Sequence, residues 1–209
     1  METVELLWNR PEGEASGPWT FVLAHGAGAP MDSPAMEAFA EGLADRGWTV
    51  ARFEFPYMRA RRTEGKRRGP DRAPVLLDTW RAVIAQLEGT PLVIGGKSMG
   101  GRIASMVADE CSVGGLVCLG YPFHPPGKPE KLRTEHLRDL QTPALIIQGT
   151  RDPFGKPEEV ETYDLSSRIR VEWLEDGDHS FKPRKKSGRT EAQNIGEALD
   201  HMEHFARSL

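Results

Sequence analysis

Residues 92–102 read LVIGGKSMGGR, and within them Gly96-Lys97-Ser98-Met99-Gly100 forms a GxSxG pattern. In this pattern a serine sits on a strained turn between a strand and a helix, and its hydroxyl projects as a nucleophile. The flanking glycines are needed because side chains there would collide with the turn. With 22 glycines in the chain, chance gives about 0.1 such patterns in this composition, so the match carries weight. The plainer reading is a Gly-rich phosphate-binding turn, but the segment has neither the GxxxxGK[ST] frame nor GxGxxG. A serine hydroxyl needs a base, usually an imidazole oriented by a carboxylate. His179, in LEDGDHSF, and Asp152, in GTRDPFG, each follow a strand-like run. Asp152 alone would pass for a turn aspartate before proline; with Ser98 and His179 it is the expected acid. Asp178 is a weaker candidate, because a residue adjacent to His179 cannot readily turn its carboxylate onto that ring. A further Gly-rich segment, LAHGAGAP at 23–30, could present the N–H of Ala27, with Gly28 as a further donor. Together with the N–H of Met99 it would receive a developing oxyanion, and His25 would orient the loop. The plainer reading of that segment is an ordinary glycine turn.

Positioning these residues requires strands that end beside one another. Strand-like runs are Trp19–Ala24, Trp48–Phe53, Pro91–Gly95, Leu116–Leu119, Ala144–Gln148 and Ile169–Leu174. Helical spacing of apolar residues marks Pro34–Arg46, Val75–Leu87, Ser98–Glu110, Glu158–Leu165 and Glu191–Arg207. This alternation predicts an α/β fold, a mostly parallel sheet with helices on both faces and ligands beyond the carboxyl ends of the strands. Phe55–Ala73 and Tyr121–Gln141 read as irregular, and residues 1–209 as one domain.

The quoted segments GGKSMGGR, GTRDPFG, GDHSF and LAHGAGAP, in this order, resemble the α/β-hydrolase superfamily. Within it they are most similar to a small, lidless, dienelactone-hydrolase-like branch. That branch is related to the testis-expressed hydrolase-like proteins and to a subunit of the NSL histone-acetyltransferase complex. FEFPYM at 53–58 and GYPFHPP at 120–126 add to the likeness, which runs from about Trp19 to Leu209. The resemblance implies an α/β-hydrolase fold without a substantial lid, with Ser98, Asp152 and His179 as triad and Ala27 and Met99 as backbone donors. His25, Gly26, Tyr57 and Phe123 are expected around the substrate. The short N-terminus leaves room for one opening strand at Glu5–Trp8. The branch also holds scaffold members, so a non-catalytic binding protein stays open beside the leading expectation. That expectation is a carboxylesterase-like serine hydrolase cleaving an ester or thioester through an acyl-enzyme, with no metal or organic cofactor. Acyl transfer and C–C hydrolysis are the remaining reactions this fold could host.

Composition narrows the partners. The net charge is −4, from 27 basic and 31 acidic residues, which disfavours a protein built to coat nucleic acid. Mean hydropathy is −0.49, and no apolar run approaches the roughly 18–20 residues that span a bilayer. The acidic Met1–Arg10 lacks a signal pattern, and Cys111 and Cys118 form neither a CxxC pair nor a disulfide framework. A cytoplasmic location is therefore expected, with no membrane or nucleic-acid partner. Basic residues crowd two segments, one containing Lys66, Arg67 and Arg68 and one running from Lys182 to Arg189. They read either as solvated loops or as rims that steer an anionic ester or an acidic partner.

Overall fold

A computed structural model describes residues 3–65 and 68–209. One seven-stranded sheet organises them, in the order β1-β3-β2-β4-β5-β6-β7. The strands are β1 Leu6–Asn9, β2 Thr20–Ala24, β3 Thr49–Phe53, β4 Leu92–Lys97, β5 Gly115–Leu119, β6 Ala144–Gly149 and β7 Ile169–Leu174. β1 runs antiparallel to β3, and every other pairing is parallel. The opening strand is therefore present at one edge, close to the expected position.

The period-2 alternation of the strands separates two cores. Val22, Phe53, Ile94, Leu116 and Ile146 face one side. There they meet α2 Pro56–Glu64, α3 Ala73–Gln86 and α4 Met99–Ser105. Trp80 of α3 is fully buried and packs edge-on against Phe53 at 4.7 Å. Phe21, Leu23, Val93, Val117 and Ile147 face the other side. They are covered by α1 Pro34–Asp45 and α6 Glu191–Ser208 through Phe39, Leu43, Met202 and Phe205. Residues buried on both sides explain the purely apolar runs in β4, β5 and β6.

Three elements differ from the sequence expectation. Phe55–Ala73, expected to be irregular, contains α2. It starts at Pro56, ends at Gly65 in the left-handed conformation, and buries only Tyr57 and Met58. So narrow an apolar stripe leaves little periodicity to detect. α4 stops at Ser105, because the chain then tightens into turns that feed β5 through Ser112 at φ 51°. α5 is confined to Pro157–Val160 and also ends in i to i+3 turns. Between β5 and β6 the only helical element is the 3-10 turn Glu135–Leu137, so no lid folds across the sheet edge among the described residues.

Strand order reverses at β2. The chain leaves β2 for β3 on one side, then returns to place β4 on the other. Such a switch point opens a crevice beyond the carboxyl ends of the two strands. The segment after β2 and the turn after β4 meet there.

Candidate active site

Ser98 follows β4 directly and precedes α4, with φ 51° and ψ −114°. A non-glycine residue in this region is strained by about 1–3 kcal/mol. The strain is held by packing on both sides. A Cβ on Gly96 would stand 2.0 Å from the carbonyl oxygen of Ala24, and one on Gly100 2.4 Å from the same atom. Both glycines are thus required by the close approach of β2. The Ser98 amide donates to Leu119 O at 2.9 Å, which ties the turn to β5.

The serine hydroxyl lies 2.9 Å from His179 Nε2, and His179 Nδ1 lies 2.7 Å from Asp152 Oδ2. The three residues come from the ends of β4, β6 and β7, and sequence separations of 81 and 27 residues collapse into one hydrogen-bonded line. Asp152 is fully buried, whereas the His179 side chain keeps 24% of its exposure. With the carboxylate accepting from Nδ1–H, the neutral imidazole is left with a lone pair on Nε2 facing the hydroxyl. Asp178, the weaker acid candidate, is occupied elsewhere: its Oδ1 accepts from the amides of Ser180 and Lys182 and closes the histidine turn.

Several residues that support this line escaped sequence reasoning. Gln148, fully buried at the end of β6, donates from Nε2 to Asp152 Oδ2 at 3.0 Å and to Tyr121 O at 3.2 Å. The Phe154 amide donates to Asp152 Oδ1 at 2.9 Å, and the Phe154 ring lies against the imidazole with centroids 4.3 Å apart. Asn194 of α6 is fully buried and donates to Phe181 O at 2.8 Å, holding the histidine turn from behind. In sequence these residues look like any polar residue in a strand, a turn or a helix.

The segment after β2 lies beside the serine. A Cβ on Gly26 would stand 3.8 Å from Ser98 Cβ. The carbonyls of this segment are pinned from below: His25 Nδ1 donates to Gly26 O at 2.6 Å, and the Tyr57 hydroxyl donates to Ala27 O at 3.1 Å. The other His25 nitrogen, Nε2, accepts from the Phe55 amide at 3.1 Å. Both ring nitrogens are therefore committed to backbone. Burial lowers the pKa of His25, which suits the neutral ring. Burial also pushes the Tyr57 hydroxyl up to about 12.

The expected substrate contacts need correction at several positions. His25, Tyr57 and Phe123 are 0%, 2% and 0% exposed, so none presents a surface to the crevice. His25 and Tyr57 brace the loop instead, and Phe123 belongs to the core, packed on Tyr121 and Tyr163. Gly26 stays next to Ser98. Arg68 is exposed and pairs with Glu64 at 2.6 Å. Lys66 and Arg67 lie outside the described residues.

Comparison with known proteins agrees with this architecture. Residues 18–207 match the model of a family described as an alpha/beta hydrolase domain. An alpha-beta serine hydrolase homologue from Coxiella burnetii superposes with a TM-score of 0.74 at 22% identity, over 95% of this chain and 91% of its own. A serine hydrolase without a lid from Xanthomonas campestris gives 0.71 at 22% identity, over 97% and 88%. The esterase domain of a Rhodothermus marinus protein gives 0.68 at 15% identity, over 98% and 92%. With a family match across nearly its whole length and a lidless sheet of this topology, the chain belongs to the α/β-hydrolase family.

Proposed function

We propose that the protein is a serine hydrolase that cleaves an ester or thioester of a small acyl group. One observation supports this reading above the others: the unbroken line Ser98 Oγ, His179 Nε2, His179 Nδ1, Asp152 Oδ2, with steps of 2.9 and 2.7 Å across it. In the proposed reaction Ser98 Oγ attacks the carbonyl carbon as His179 Nε2 takes the hydroxyl proton. Asp152 keeps the imidazole in place and stabilises its cation. The oxyanion is received by the amides of Met99 and Ala27, neither of which donates within the protein among the described residues. His179 then passes its proton to the departing alkoxide or thiolate. Water, deprotonated by the same nitrogen, attacks the acyl-enzyme and releases the acid and free Ser98. The open connection between β5 and β6 favours short, water-soluble acyl chains, since no helix longer than the 3-10 turn Glu135–Leu137 folds there to supply apolar cover. A reducing, cytoplasmic compartment accords with free Cys111 and Cys118.

The test is labelling by a fluorophosphonate probe, followed by a panel of esters of increasing chain length. The wild type should be labelled and Ser98→Ala should not. His179→Ala and Asp152→Asn should lower ester turnover by about 10³–10⁶-fold with folding intact. A folded wild type that resists the probe would point instead to a binding or scaffold protein on a retained fold.

A further inference from the structure

Lys97 stands between Gly96 and Ser98 and takes no part in the proton relay. Its side chain leaves β4 on the face opposite α4, along the ring of Phe181, with Nζ 5.5 Å from the ring centroid. From there Nζ donates to the backbone carbonyl of His179 at 2.6 Å. A Cβ built on Gly120 would stand 2.8 Å from Nζ, 3.2 Å from that carbonyl and 3.3 Å from His179 Nδ1. Ammonium and imidazole therefore share one corner, and the bare Cα of Gly120 leaves room for both. Other ties of the histidine turn fasten the amides of Asp178, Ser180, Phe181 and Lys182 and the carbonyls of Asp178, Phe181 and Lys182. The carbonyl of the base itself is tied by Lys97.

We propose that Lys97 is a positioning residue, whose ammonium clamps the His179 peptide to the strand that carries Ser98 and so holds the imidazole between Ser98 and Asp152. This rests on the serine-hydrolase reading only for its effect on turnover. A buried ammonium is a costly way to fill space, and a methionine would pack there without desolvating a charge. The cost is visible in Lys97 itself: burial pulls its pKa down to about 8, against the opposing pull of Asp152 and then Asp178. These two carboxylates, with His179 beside them, are the titratable groups that face it.

Lys97→Met tests the clamp. A misplacement near 1 Å costs about 10²-fold, so probe labelling and kcat on a short ester should fall about 10–100-fold with KM little changed. Tm at pH 7 should hold or rise, because a desolvated charge has gone. Hydrogen exchange at the amides of residues 178–182 should quicken without a general increase. Because the folded-state pKa lies below the unfolded value, the wild type should gain stability as pH rises from about 8 towards the ordinary lysine range, and the variant should not. The wild type should also lose kcat above about pH 8, where the clamp loses its charge, and the variant should lack that limb. Wild-type labelling and exchange in Lys97→Met would overturn the proposal. So would a loss of activity matched by a fall in Tm and faster exchange throughout, which would mean a purely structural lysine. If the wild type resists the probe, the hydrolase reading fails, and the exchange experiment alone decides the role of Lys97. Should the methionine variant not fold, Lys97→Leu, which likewise removes both donor and charge, takes its place with the same expectations for kcat and exchange.

Discussion

The carboxylate of Asp152 is fixed by more than the imidazole. Gln148 Nε2 shares the oxygen that His179 uses, and the Phe154 amide takes the other. Removing the amide donor should let the carboxylate rotate within its turn and misalign the ring. Gln148→Leu should therefore lower kcat by about 10–100-fold, the range typical of outer-shell partners. KM should be nearly unchanged, as measured by steady-state ester hydrolysis. An unchanged kcat would show that Phe154 and His179 suffice to hold the acid. The contrast between Asp152 and Gln148 also shows what the sequence makes legible. Ser98, Asp152 and His179 could be singled out because each is of a type that carries chemistry and each comes shortly after a strand-like run, buried for β4 and β6 and half-buried for β7. Gln148 is the polar residue near the end of such a run, and Asn194 lies on a helix that presents many polar residues. Their importance depends on which atoms lie opposite them, a long-range fact that local pattern does not encode. Tyr57 and Phe123 fail for the converse reason: they come in segments that follow β3 and β5, but their side chains turn inward.

The element that carries His179 is fastened to the element that carries Asp152. Asp176, in the left-handed region at φ 53° just after β7, accepts from Arg184 through both its backbone N–H and its guanidinium. Its carbonyl accepts from Arg151 at 2.8 Å, and its amide donates to Thr150 Oγ1 at 2.8 Å. The loop after β6 and the loop after β7 are thus stapled one residue before Asp152 and three before His179. The Arg184 hydrogen bond is the main cause holding the Asp176 carboxyl well below the usual carboxylate range. A depressed carboxyl contributes stability that is present above its unfolded value, near 4, and is lost as pH falls through the folded one. Asp176→Asn keeps the left-handed turn, which asparagine tolerates, and removes only the charge. Its Tm should lie below that of wild type at pH 7, and the gap should close as the pH is taken below 4 in paired melts. A constant gap would assign the effect to hydrogen bonding alone. At this scale the strand series was legible, while α2 was not. A helix that buries two residues and carries charges elsewhere lacks the stripe on which a period of 3.6 is read.

For the molecule as a whole, the two basic segments are less free than their composition suggested. Arg62 pairs with Asp32 and Glu54, Arg68 with Glu64, Arg184 with Asp176 and Arg189 with Glu197. Asp32 lies thirty residues from Arg62 and the other carboxylates within eight of their partners, most of them outside the runs of basic residues. In the second segment Lys182, Lys185 and Lys186 remain exposed without a carboxylate partner among the described residues, and Lys185 and Lys186 are adjacent. Steering of an anionic ester by this segment should draw on them. Lys185→Glu/Lys186→Glu should lower kcat/KM for an anionic ester about 2–5-fold at low salt relative to a matched neutral ester. The difference should vanish as screening shortens the range of exposed charge below ~10 Å. Equal behaviour of the two esters at every ionic strength would leave these lysines as solvated surface. The sheet order also divides the durability of the site. β4, which leads to Ser98, lies between two strands and is buried almost throughout, whereas β7, which leads to His179, has β6 alone beside it and is half-buried over 169–173. Edge elements open at lower free energy than central ones. Warming should detach His179 while the strand that leads to Ser98 is still intact, so on the proposed function turnover should fade reversibly several degrees before the cooperative melt. Protein warmed into that interval and cooled should recover its full rate, with its far-ultraviolet dichroism unchanged throughout.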